Sequence, residues 1–264
     1  MSQEQGTGSV VLLDKPTGIS SFAMVREIRR HLGIKKVGHA GTLDPFASGL
    51  LIVCVGRPAT RNIERFMAAR KTYTATLKLG VETLTHDPEG EIVSRKRVAL
   101  VKDAEEEAEE EAEDKEIDVV ICQEQIMATL SSFLGKQMQT PPAFSAAKHK
   151  GKPLYYYARK GILIEKKPKE VEIYSLACLR LAREEIDIEV CCSRGTYIRV
   201  LAADIGRKLG CGASLTALRR TASGPFSVEQ GLHGAALQQK DARECIYTVM
   251  MPVEEALARL EQKK

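Results

Sequence analysis

The segment from Gly38 to Leu51, Gly-His-Ala-Gly-Thr-Leu-Asp-Pro-Phe-Ala-Ser-Gly-Leu-Leu, constrains the fold of this chain more than any other stretch. It gathers one imidazole, one carboxylate, three glycines and a proline between a strand end expected at Lys36 and Val37 and an apolar strand expected from Leu50 to Val55. Loops of this kind, hung on a rigid scaffold, are where reactive side chains are presented. Asp44 is the only acid in the segment, and because it precedes Pro45 its backbone is biased towards extended conformations, which aims the carboxylate. Gly38 and Gly41 permit positive φ or close approach of a ligand to the main chain. The competing reading is an ordinary turn.

Around that loop the chain has ample apolar material for a large core, with 44% hydrophobic residues among 264. No apolar run approaches the roughly 18 residues of a membrane span, and the polar start has no signal-peptide centre, so the expected location is the cytoplasm. Seven cysteines lack any Cys-x-x-Cys spacing and five histidines are scattered, which argues against a disulfide framework or a zinc site. Between Asp103 and Asp118 lie eleven acids and one lysine, a charge of −10; the remainder carries 38 basic and 24 acidic residues, or +14. A basic body favours a polyanionic partner through counterion release. The acidic block lacks an apolar face and reads as a flexible insertion or a solvated helix.

Local patterns place the elements. Val10 to Leu13 reads as a strand ending in the turn Pro16-Thr17-Gly18. A helix capped by Ser20 or Ser21 follows, with Phe22, Val25, Ile28 and Leu32 as its apolar stripe and Gly33 as its stop. A helix is expected from about Thr60 to Ala69, then an alternating strand from Lys71 to Leu79 with Tyr73, Ala75, Leu77 and Leu79 on one face. Gly80 to Gly90 reads as a loop, Ile92-Val93 as a short strand, and Cys122 to Leu134 as a helix stopped by Gly135. The basic, proline-containing segment Gln139 to Lys152 suits contact with a phosphate backbone, and a short helix with Tyr155, Tyr156 and Tyr157 follows it. Val171 to Leu181 and Ile186 to Cys192 read as paired strands. Ser193 to Thr196 is expected to cap a helix reaching about Leu209, with Arg199 in its first turn and off the buried stripe. A cation there opposes the helix dipole, so an anionic partner is the natural explanation. Leu215 to Arg220 reads as a strand and Pro252 to Leu260 as a last helix.

Several of these segments together resemble the TruB family of pseudouridine synthases, which act on the T-loop uridine at tRNA position 55. Leu13 to Ser21 resembles the opening motif, Gly38 to Gly49 the catalytic loop, and Lys71-Thr72-Tyr73 the Lys-x-Tyr strand. Gln139 to Gly161 is similar to the basic proline segment, Cys192 to Arg199 to the arginine motif, and Leu218-Arg219-Arg220 to the late strand. The resemblance implies an α+β fold in which a central, mainly antiparallel curved sheet is flanked by helices and carries a catalytic cleft. Residues 1–9 are then a flexible tail, 10–226 the catalytic domain with 103–118 as an insertion, and 227–264 a short extension with a helix and no full PUA-type RNA-binding domain.

The resemblance also implies an isomerase with no cofactor and no metal, acting as a monomer on the T-arm of tRNA. It makes Asp44 the nucleophile, Arg199 the cation that keeps that carboxylate ionised, and Tyr73 the ring that packs on a flipped base. His39, Tyr197 and Leu218 match positions that line the flipped nucleotide, and Lys15 and Lys148 are expected to contact substrate. Phe144 stands where the family usually has tyrosine. A protein that refolds RNA without chemistry is the competing reading; a nucleotide-phosphate cradle is disfavoured because Gly-x-x-x-x-Gly-Lys-Ser/Thr is absent.

Overall fold

The computed structural model describes residues 8–102 and 117–262, so all of the acidic insertion except Ile117 and Asp118, and the tail before Gly8, lie outside the described residues. The described residues form a large, mostly antiparallel sheet with several helices, as the resemblance implied. The chain divides into two compact units, Met1–Tyr73 with Leu218–Lys264, and Thr74–Ala217.

In the first unit, β1 (Ser9–Lys15) is followed by α1 (Ser21–Leu32), β2 (Val37–His39), β3 (Ser48–Val55), α2 (Gly56–Thr60), α3 (Ile63–Ala68) and the start of β4 (Lys71–Leu79). β1 and β3 pair antiparallel from Ser9↔Val55 to Lys15↔Gly49, and the strand Ala213–Ser223 runs parallel to β3 with Arg219↔Ser48 and Arg220↔Gly49. Both β1 and β3 read as continuous apolar runs because both of their faces are covered. Val11, Leu13, Leu51, Val53 and Val55 pack with Met24, Val25 and Ile28 of α1. Val10, Leu12, Leu50, Ile52 and Cys54 face the other way, against Phe66 of α3, Phe226, and Val253 and Ala256 of the last helix, Val253–Gln262.

Local chemistry explains the boundaries. Ser20 caps α1 by accepting from the Ala23 N–H, and Gly33 ends it at φ 68°. The buried stripe of α1 is Met24, Val25, Ile28 and Leu32; Phe22 does not belong to it and is 58% exposed, with the Arg29 guanidinium 5.6 Å from its ring centre. Val37 begins a short strand where a strand end was expected. The single helix expected from Thr60 to Ala69 is two helices, α2 and α3. Pro58 is tolerated in the first turn of α2. The Asn62 amide donates to the Pro58 carbonyl (2.9 Å), a local alternative to helix continuation of the kind asparagine favours.

In the second unit, Lys169–Ala182 and Glu185–Cys192 form the antiparallel pair expected, and Gly135–Gln139 adds to the first of them. The expected loop from Gly80 to Gly90 contains a strand, Val81–Thr83, that pairs with Ile92–Arg95. Val98–Val101 and Val119–Cys122, which no periodicity marked, pair in parallel on either side of the acidic block. Helix Gln123–Ser131 falls within the expected span. Helix Ile198–Lys208 does too, although its N-cap is Tyr197 and its end is served by no hydroxyl of Ser193 to Thr196. In the first unit an additional helix, Ala242–Val249, precedes the last one.

Candidate active site

In the first unit the loop carrying Asp44 leaves β2 and enters β3, and three side chains and one main-chain N–H hold it by its backbone. Lys15 is fully buried, and its ammonium donates to the carbonyl oxygens of Pro16 (2.8 Å), Ile19 (2.7 Å) and Pro45 (3.3 Å). This corrects its expected role as a substrate contact: with its charge turned inward onto carbonyls, Lys15 binds the opening turn to the loop. Ser21, also buried, accepts from the Leu43 N–H (2.8 Å) and donates to the Leu43 carbonyl (2.9 Å). Arg220 donates from Nε to the Leu50 carbonyl (2.7 Å) and from Nη2 to the Gly41 carbonyl (3.1 Å), so it spans the two arms of the loop. The Gly18 N–H donates to the Pro45 carbonyl (2.8 Å).

Glycine is required at position 49. Its φ is +103°, and a Cβ there would overlap the backbone of Arg220 on the parallel neighbour. Gly41, at φ +104°, faces the Arg220 guanidinium. Asp44 itself is half-buried, and the Ala47 N–H donates to its carbonyl (3.1 Å), closing a turn across Pro45. Alongside, Arg219 makes two hydrogen bonds to the Asp14 carboxylate (2.9 and 2.8 Å).

His39 stands at the end of β2. Burial, then the nearby Arg220 charge, hold its pKa below the usual histidine range, and Nδ1 is buried without a hydrogen-bond partner among the described residues. The ring is therefore neutral above pH 6.5 and keeps a polar atom available. Tyr73 is half-buried on β4, less enclosed than Ala75, Leu77 and Leu79 with which its pattern grouped it. Lys71, two residues before it, is buried and donates to the Met67 and Ala69 carbonyls at the end of α3, where a cation suits the helix dipole. Leu218 is buried at the point where the strand Ala213–Ser223 enters this unit.

The second unit holds the remaining expected residues. Arg199 is not a surface arginine off the buried stripe but is 4% exposed. Its Nη1 donates to Asp87 Oδ2 (3.1 Å) and the Thr85 carbonyl (3.3 Å), and Nη2 donates to the Phe144 carbonyl (2.6 Å). The anionic partner required by its place near a helix start thus includes Asp87, a residue that sequence reasoning left in a loop. Asp87 Oδ1 accepts from Thr85 Oγ1 (2.5 Å) and the Glu89 N–H (3.1 Å). Burial, then the charge of Arg199, lower the pKa of the adjoining His86. Tyr197 is held by its backbone: the Gln139 side chain accepts from its N–H (2.8 Å) and donates to its carbonyl (3.1 Å). Lys148 is exposed in a basic surface where the ammonium groups of Lys152 and Lys160 lie 4.5 and 4.6 Å from the centre of the Tyr156 ring.

Sequence reasoning missed Ser21, Asp87 and Gln139 as positioning groups and assigned no task to Arg220. Their only sequence signal was a polar residue beside an apolar run, which also describes most caps and surfaces. Among the described residues no cluster of three or more His, Cys, Asp or Glu could hold a metal, and no helix is long and apolar enough to cross a membrane.

Comparison with known proteins bears on this arrangement. The model of the TruB family pseudouridylate synthase N-terminal domain matches residues 29–110 and 96–198, and that of the tRNA pseudouridylate synthase B C-terminal domain matches residues 199–258. The chain is 48% identical to the tRNA pseudouridine synthase B of Desulfotalea psychrophila across 96% of this chain and 97% of that one. It is 46% identical to the enzyme of the same name from Bordetella avium, over 89% and 88% of the two chains. Among solved structures it resembles a chain of a Cbf5-Nop10-Gar1 complex with a TM-score of 0.66 and 26% identity, covering 95% of this chain and 62% of that one. With two family models side by side along the chain and relatives matched over nearly their whole length, the chain belongs to the TruB family of pseudouridylate synthases.

Proposed function

We propose that this protein is a tRNA pseudouridine synthase that converts the T-loop uridine at position 55 to pseudouridine, with Asp44 as the nucleophile. The observation that carries the reading is the 48% identity to a tRNA pseudouridine synthase B over nearly the full length of both chains. It is supported by a lone carboxylate on a loop whose backbone is held at Gly41, Leu43, Pro45 and Leu50. In the reaction the bond from ribose C1′ to N1 breaks, the base turns, and C1′ joins C5. The C5 proton leaves, N1 gains a proton, and no electrons are exchanged with a third party.

Each residue has a task in this reading. Asp44 must be ionised to act as a nucleophile; the resemblance gives Arg199, whose guanidinium is paired with Asp87, the part of favouring that form. A uridine stacked in a T-loop must first be turned out at a cost of a few kcal/mol. Stacking returns roughly 1–3 kcal/mol per base, the part given to Tyr73. Neutral His39, Tyr197 and Leu218 line the turned-out nucleotide, and Lys148 meets phosphate.

The test is a T-arm stem–loop carrying tritium at uridine C5. Wild-type protein releases the label, whereas Asp44→Asn binds the RNA and releases none; absence of release by stoichiometric wild-type protein refutes the reading.

A further inference from the structure

Asp44 has a neighbour whose contacts are unusual for a helix-start serine. Ser20, not Ser21, caps α1, so the hydroxyl of Ser21 has no capping task. It is buried and spent on both polar atoms of one residue 22 positions away, the N–H and the carbonyl of Leu43. The Leu43 carbonyl belongs to the peptide that joins Leu43 to Asp44. Fixing its oxygen fixes the plane from which the Asp44 main chain departs, because a peptide unit is rigid. On the other side Pro45 restricts the Asp44 backbone, and its own carbonyl is held by the Gly18 N–H and by Lys15. With the carbonyl of the Asp44–Pro45 peptide accepting from the Ala47 N–H, both peptides that flank Asp44 are held.

We infer that Ser21 is a positioning residue for catalysis: its hydroxyl holds the Leu43–Asp44 peptide and so sets the direction from which Asp44 approaches its substrate. The inference rests on Asp44 being the nucleophile. Replacing Ser21 with alanine leaves a buried N–H and a buried carbonyl without these partners, and the peptide rotates to find others. A displacement of about 1 Å at a reacting group lowers rate by about 100-fold, while RNA contacts elsewhere are untouched.

The experiment measures single-turnover tritium release from the T-arm stem–loop, and RNA affinity by filter binding, for wild type, Ser21→Ala, Ser21→Thr, Ser21→Cys and Asp44→Asn. Ser21→Ala is expected to lose about 10- to 100-fold in rate at unchanged RNA affinity, and Ser21→Thr, which keeps the hydroxyl, to recover most of it. Amide hydrogen exchange at Leu43 should accelerate in Ser21→Ala and not in Ser21→Thr. A folded Ser21→Ala at wild-type rate overturns the inference, as does equal loss in Ser21→Ala and Ser21→Thr. If Ser21→Ala does not fold, Ser21→Cys carries the test: an intermediate rate supports the inference and a wild-type rate overturns it. Full activity of Asp44→Asn instead removes the premise, and is separately visible.

Discussion

Removing the carboxylate of Asp87 is the sharpest test of how the second unit is held together. Asp87 and Arg199 have side chains 3% and 5% exposed and meet at 3.1 Å. At an effective dielectric of 20 two unit charges at that separation attract by about 5 kcal/mol, a sum offset by the cost of taking both out of water. The net worth of the pair is therefore small, but the cost of breaking it is not. Asp87→Ala leaves a buried guanidinium without this counter-ion, and leaves Thr85 Oγ1 and the Glu89 N–H without their acceptor. Breaking a buried pair in this way costs about 3–5 kcal/mol. Asp87→Asn keeps an amide oxygen for one set of donors and should cost less. Urea denaturation followed by circular dichroism measures both, with hydrogen exchange at Thr83 to Gly90 reporting where the loss falls. If Asp87→Ala unfolds within about 1 kcal/mol of wild type, the pair is not buried as described, and the account of Arg199 as a locked cation fails.

Two other outcomes follow from the first unit. Gly49→Ala should destabilise by more than about 1 kcal/mol, because it combines a φ of +103° with overlap onto the Arg220 backbone; thermal unfolding indistinguishable from wild type would contradict that. The depressed pKa of His39 means that the unfolded chain binds the proton more readily, so its contribution to stability is present above pH 6.5 and is lost as pH falls from there through its folded-state value. Titration of the His39 ring by NMR should give a midpoint below 6.5, moving upward in Arg220→Met, which removes the second cause of the shift; a midpoint at or above 6.5 in the wild type would be the contrary result.

Much of the scaffold could be read locally. The apolar runs of β1 and β3, the Ser20 cap and Gly33 stop of α1, the alternation in β4 and the pair Lys169–Ala182 and Glu185–Cys192 all follow from periodicity and turn chemistry acting over a few residues. The loop around Asp44 was legible for the same reason, since its glycines and Pro45 announce an aimed turn. What tertiary structure alone decided was the use of the polar residues. Arg199 and Asp87 are 112 positions apart, Arg220 and Leu50 are 170 apart, and Ser21 and Leu43 are 22 apart. Lys15 and Lys71 look like exposed cations in sequence yet are buried on carbonyls, whereas Phe22 looks like core yet stands in solvent. A side chain's hydrophobicity is a property of that residue, but whether a buried charge finds its hydrogen bonds depends on which distant backbone groups the fold brings to it, and no local pattern records that.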